Sequence, residues 1–115
     1  MIGFSCYVAA PYSKGVIAEN VRNAVRAGDE LWAAGIYPFI PHLTHLWELI
    51  SPKDYEEWLR WDFFWLDKCD ALLRLPGISP GANREMDRME ANGKPVFYAV
   101  KDVIRFAEPW RKAGY

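Results

Sequence analysis

Apolar and polar positions along this chain switch repeatedly between a strand-like run and a helical period, and each switch marks an element. Ile2 to Ala10 is almost wholly apolar, rich in β-formers and ended by Pro11, which predicts a first buried strand. From Ser13 to Ala34 the period lengthens. Ile17, Val21, Ala24, Val25, Gly28, Leu31 and Trp32 fall on one helical face, and Gly35 closes the helix. Ile36 to Ile40, ended by Pro41, predicts a second short strand, and His42 to Ile50 reads as a loop with a helical turn. Ser51-Pro52-Lys53-Asp54 predicts a helix start: a capping serine, a proline at the first helical position and an acid two residues later. That helix runs to Lys68. Ala71 to Leu75 is a third strand, Ala82 to Asn92 a helix closed by Gly93, Pro95 to Val100 a fourth strand, and Asp102 to Lys112 a closing helix.

The order β-α-β-α-β-α-β-α predicts one α/β domain over residues 1–115, with a parallel sheet of four to five strands and helices on both faces. Ligands of such sheets bind outside the carboxyl ends of the strands. Three segments lie there: Ala9 to Gly15, Pro41 to His45 and Pro76 to Glu85. Ala9 and Ser13 in the first, and His42 in the second, are candidate substrate contacts.

Composition narrows the class without naming a function. A net charge of -1 excludes a nucleic-acid polymer held by a basic surface. No apolar run reaches membrane-spanning length, and the start of the chain lacks the basic and apolar segments of a signal peptide. Cys6 and Cys69 each sit in or beside an apolar run, which predicts buried free thiols and a cytoplasmic setting. Aromatics at 16 % are in excess, which fits a ligand pocket, a subunit interface or a bulky core alike.

The segment Asp70 to Glu85 carries the most chemistry. It reads as a strand, a Ser-Pro-Gly turn, and a glutamate in the first turn of a helix, an arrangement that gathers backbone N–H groups around a concave, anion-accepting spot. Glu85 would stand beside that spot, kept ionised by the helix N-terminus, either as a nucleophile or merely as a helix-stabilising acid. Asp62 shares a helical face with Tyr55, Leu59 and Leu66. A carboxyl on an apolar face is either a proton donor with raised pKa or a partly exposed acid bonded to nearby backbone. Tyr7 falls near the end of strand one, at the mouth of the site, where it would orient a carboxylate or simply pack. Asp70 reads as a structural start residue. His42 and His45 have no further ligands at metal spacing, so neither metal nor cofactor is expected. Arg84, Arg88, Lys94 and Arg105 read as scattered surface charge.

Three pieces taken in order resemble the nucleoside 2-deoxyribosyltransferase superfamily, including its small relatives that hydrolyse deoxynucleoside monophosphates. They are Tyr7-Val-Ala-Ala-Pro-Tyr-Ser-Lys-Gly15, Trp61-Asp62 followed by Asp70, and Ser79-Pro-Gly-Ala-Asn-Arg-Glu85, and the similarity extends from Ile2 to Val100. The resemblance implies a flavodoxin-like or Rossmann-like three-layer sandwich and a double displacement at C1′ of a deoxyribose. Carried over by position, Glu85 is the nucleophile, Asp62 assists the departing base, and Tyr7 aligns Glu85. Ser79 stands where transferases acting on free nucleosides tend to carry an acid; with the Gly81 N–H it would accept a 5′-phosphate. The loop after strand one has Ser13 and Lys14 where the monophosphate hydrolases have an arginine and extra glycines. The implied partner is a small-molecule nucleoside or nucleotide, and the implied assembly a homodimer or higher homo-oligomer. Two other functions remain open from sequence: a non-catalytic nucleotide-binding accessory protein, and a glycohydrolase of NAD or another ribonucleotide.

Overall fold

The computed structural model describes residues 3–112, so the expected strand start at Ile2 lies outside the described residues. Four strands, β1 (Ser5–Ala9), β2 (Tyr37–Phe39), β3 (Ala71–Arg74) and β4 (Val96–Phe97), form one parallel sheet in the order β2-β1-β3-β4. Five α-helices accompany it: α1 (Ile17–Ala33), α2 (His45–Ile50), α3 (Tyr55–Leu66), α4 (Pro80–Ala91) and α5 (Val100–Lys112). The result is the α/β three-layer sandwich that the alternating pattern predicts. Among the described residues no helix is long and apolar enough to cross a membrane.

Strand alternation sorts the core into its two layers. Cys6 and Val8 of β1 join Ala71 and Leu73 of β3 against Ala24, Ala27 and Leu31 of α1 and Val103 and Ala107 of α5. Tyr7, Ala9 and Leu72 face the other way, against Leu66 of α3 and Ala82 and Met89 of α4. Leu72 and Leu73 are wholly buried, so each contributes about 1.5–3 kcal/mol of transfer free energy. At the opposite edge from the ligand end, Asp70 Oδ2 accepts from the Ser5 backbone N–H at 2.9 Å and from its hydroxyl at 3.2 Å. Asp70 therefore clamps the starts of β1 and β3 together.

Element boundaries differ from the sequence pattern where side chains compete for backbone groups. The helix expected from Ser13 begins at Ile17, because Asn20 Nδ2 donates to the carbonyls of Tyr12 and Lys14 and holds that stretch as a turn. The loop expected at His42 to Ile50 is a 3-10 turn, Pro41–Thr44, running into α2. The cap expected at Ser51 lies at Asp54, whose carboxylate accepts from the Glu57 N–H at 2.8 Å. Residues 51–54 are drawn away from helix by Glu48, which accepts from the Lys53 N–H at 2.9 Å and from Trp58 Nε1 at 2.8 Å. The helix expected from Ala82 starts at Pro80, with Ser79 as its cap.

Arg84, Arg88 and Lys94 are not scattered charge. Arg88 grips Asp67 with two bonds of 2.8 and 2.6 Å, Arg84 meets Glu56 at 3.0 Å, and Lys94 Nζ caps the carbonyls of Asp67 and Cys69. Together they tie α4 and the strand behind it to α3. Arg105 faces Asp102 within α5.

Gly28 is where α1 rests on the end of β2. A Cβ there would stand 2.3 Å from Ile40 Cδ1 and 3.7 Å from Pro38. Gly28→Val is expected to lower stability by about 1–3 kcal/mol despite a better helix propensity, because the packed neighbours must move. Urea unfolding of the variant checks this, and an unchanged midpoint would refute it.

Candidate active site

Chain connections leave β1 and β3 in opposite directions along the sheet, and the crevice between such strands is where α/β sheets hold ligands. A cavity of about 600 Å³ opens there. Its walls come from the segment after β1 (Ala10, Tyr12, Ser13, Lys14), the turn after β2 (Pro41, His42), one face of α3 (Tyr55, Trp58, Leu59, Asp62) and the start of α4 (Ser79 to Ala82, Arg84, Glu85).

Glu85 is 6 % exposed, and its Oε2 accepts a hydrogen bond from the Tyr7 hydroxyl. Tyr7 reaches it from the middle of β1, fully buried and stacked on Phe39 at 5.5 Å between ring centres. It forms the floor behind Glu85 rather than the mouth of the site. Asp62 comes from α3, half-buried on the cavity wall. Its face of the helix also carries the buried Leu59 and Leu66, as their spacings of three and four from Asp62 predict.

Burial raises the pKa of both carboxyls, and the negative charge of Asp62 raises Glu85 further. The Tyr7 hydroxyl and the Arg74 charge pull Glu85 the other way. Contact between the two acids favours ionised Asp62 and protonated Glu85, while Tyr7 and Arg74 favour ionised Glu85. The proton therefore belongs to the pair rather than to either acid alone. This corrects the expectation of a glutamate held ionised by a helix end. With Pro80 as the first residue of α4, Glu85 stands in the second turn, beyond the reach of the helix dipole. Tyr7, raised well above the ordinary phenol range by burial and by both acids, stays a hydrogen-bond donor.

The remaining candidates divide. Ser79 is buried, and its Oγ accepts from the Ala82 N–H at 3.1 Å, so its lone pair caps α4 while its proton is left to donate into the cavity. The Gly81 N–H, in the first turn, has no acceptor within the helix. A Cβ at Gly81 would lie 3.2 Å from the Tyr55 hydroxyl, so glycine permits that approach. Ser13 is exposed on the cavity rim. His42 is buried on the wall, with Nε2 at 2.8 Å from the Pro11 carbonyl; burial lowers its pKa, so the ring is neutral and Nε2–H donates. Ala9 is displaced from the site. It is wholly buried in the core, and Ala10 takes its place on the wall.

Four participants escape a reading of periodicity. Tyr12, expected only as loop, lines the cavity and is hydrogen-bonded to His45 Nδ1. Trp58 and Glu48 form the outer wall, joined by the indole N–H. Arg74 ends β3 buried, donating to the carbonyls of Leu75 and Gly77 and to Asn83 Oδ1. Of these, only Trp58 and Glu48 leave a signal in the sequence, standing ten residues apart across a Pro-containing link. The aromatic excess is a ladder: Phe39 meets Trp61 at 5.7 Å, Trp61 meets Trp58 at 6.0 Å, and Trp58 meets Trp47 at 4.9 Å.

Cys6 and Cys69 are free and buried, and burial raises both thiols, so neither supplies a thiolate nucleophile. Among the described residues no cluster of three or more histidine, cysteine or acidic side chains is placed to hold a metal. Two acids sharing a proton, with a tyrosine donor beneath one of them, suit attack on an electrophilic carbon coupled to protonation of a leaving group.

A comparison with curated proteins gives no match. The sequence model of one family matches residues 5–99, a span that contains Tyr7, Asp62, Ser79 and Glu85. The chain therefore belongs to the family described as Domain of unknown function (DUF7768).

Proposed function

We propose that this protein cleaves or transfers the N-glycosidic bond of a 2′-deoxyribonucleoside, with preference for its 5′-monophosphate, by double displacement through Glu85. The observation that carries this reading is the pair Asp62 and Glu85 lining one cavity, with the buried Tyr7 hydroxyl bonded to Glu85 from behind. The motif resemblance to nucleoside 2-deoxyribosyltransferases supports it independently.

In the first step the ionised Glu85 carboxylate attacks C1′. The electron pair of the C1′–N bond leaves with the base, and Asp62 supplies the proton that neutralises the base nitrogen. In the second step Asp62 takes a proton from water, or from the N–H of an acceptor base, as that group attacks C1′ and expels Glu85. Two displacements give net retention. Tyr7 holds the attacking oxygen in line throughout. The Gly81 N–H and the Ser79 hydroxyl suit a 5′-phosphate at the start of α4, and Lys14, from the segment after β1, adds positive charge to the cavity lining.

A second reading rests on the raised pKa of Glu85. A carboxyl that stays protonated binds a ligand acceptor but attacks nothing, which describes a nucleotide-binding accessory protein. Incubation with a panel of deoxynucleosides, their monophosphates, the ribo counterparts and NAD, with and without an acceptor base, separates the readings by chromatography. Free base from the deoxy members supports the proposal. Release from NAD or ribonucleotides alone replaces it with a ribonucleotide glycohydrolase. Saturable binding with no base from any member replaces it with the accessory protein.

The proposal places the reaction in the cytoplasm, in keeping with two free buried thiols. It takes a homodimer or larger homo-oligomer as the working form, supported by the exposed apolar run Leu46, Leu49 and Ile50 on α2.

A further inference from the structure

Arg74 is 9 % exposed, and every acceptor it meets is neutral. It donates to two carbonyls of the turn after β3, those of Leu75 and Gly77, and to the amide oxygen of Asn83 on α4. No ion pair involves it among the described residues; the arginines that have acids are Arg84, Arg88 and Arg105. A buried guanidinium without a counter-ion is costly, so an acid in the same interior is favoured as its balancing charge, and Glu85, two residues beyond its partner Asn83, feels the Arg74 charge. Strand alternation points Arg74 to the α3 and α4 side, the side of Tyr7 and Leu72. The groups gathered on that side are Tyr7 from β1, Asp62 from α3, Glu85 from α4 and the Cys69 thiol just before β3. Tyr7 and Cys69 remain neutral. That leaves the two acids.

We propose that Arg74 is the counter-charge of the Asp62–Glu85 pair, a positioning residue that sets the pair's resting state at one proton and, through the Asn83 bond, fixes the turn that delivers Glu85. One positive charge then faces one negative charge, and the buried cluster is neutral as a whole. With no proton on the pair the cluster carries a net negative charge, and with two protons Arg74 is left unbalanced. The electrostatic part of this inference holds whatever the protein binds; its catalytic consequence rests on the proposed glycosidic reaction.

The test compares Arg74→Gln, which can still donate to the turn but carries no charge, with Arg74→Lys, which keeps the charge and loses the fork. Side-chain carboxyl NMR of Asp62 and Glu85 in the ligand-free protein is followed against pH. In Arg74→Gln the first ionisation of the pair is expected to move upward by about one pH unit or more, and in Arg74→Lys to stay near the wild-type position. If the glutamine variant titrates like wild type, or the lysine variant shifts as far as the glutamine variant, the counter-charge role is overturned. Wild type alone provides a check that needs no variant to fold: at pH 7 the pair must still hold one proton, and a pair holding none overturns the idea. Where turnover is measurable, the acidic limb of kcat/KM moves with the titration in Arg74→Gln. A protein that releases no base yet shows these titrations loses the glycosidic reading and keeps this one.

Discussion

Glu85→Gln is expected to abolish turnover and at the same time to make the protein more stable at alkaline pH. The amide keeps the shape of the protonated carboxyl: its oxygen accepts from Tyr7 and its NH₂ faces Asp62, so the fold is retained. Without an attacking carboxylate, base release falls by about 10³-fold or more. The stability effect follows from the direction of the pKa shift. Burial raises Glu85 above its ordinary value, so across the interval from the ordinary glutamate range up to the raised one the folded state binds more protons than the unfolded state. Stability contributed by this group is present at low pH and is lost as pH rises through that interval. Glutamine has no proton to lose. Thermal melts at several pH values are expected to show wild type falling more steeply than the variant from pH 5 towards pH 8. Full activity in the variant removes Glu85 from the mechanism, and parallel melting curves remove the buried-acid account of its environment.

Asp62→Asn separates the two acids. Asparagine cannot protonate a departing base, so poor leaving groups are expected to lose about 10²- to 10⁴-fold in rate. Bases that leave without a proton should lose far less. The same change removes the negative charge that raises Glu85, so the nucleophile ionises more readily. The acidic limb of the rate profile for a good leaving group should therefore move to lower pH. Single-turnover rates across a series of bases of graded acidity give both quantities. A uniform loss across the series would identify Asp62 as a structural acid only.

The positions of these two acids are legible in the sequence for different reasons. Asp62 follows from a period of three and four residues on a strongly apolar helix, a pattern that depends on nothing distant. Glu85 follows from a Ser-Pro-Gly turn behind a buried strand, although the helix starts two residues earlier than its apolar periodicity suggests. The missing information is tertiary competition. Ser51 and Asp54 are both good caps, and Glu48, on a separate helix, decides between them by holding the Lys53 N–H. Arg74 ends a strand that reads as Ala-Leu-Leu-Arg, where an arginine ordinarily signals emergence into solvent. Its burial depends on the turn carbonyls and Asn83, which no periodicity encodes. Ala9 stands a single residue short of the cavity wall, which along a strand means the opposite environment.

The aromatic ladder gives the protein an optical consequence. Tyr7 under Glu85 is stacked on Phe39, and from there Trp61, Trp58 and Trp47 lead outward, with Trp58 on the cavity wall. Tryptophans this close and mutually perpendicular do not absorb or emit as independent residues. A flat ring arriving against Trp58 is expected to perturb the series, giving a spectroscopic reporter of cavity occupancy that responds to a ligand before any bond is broken.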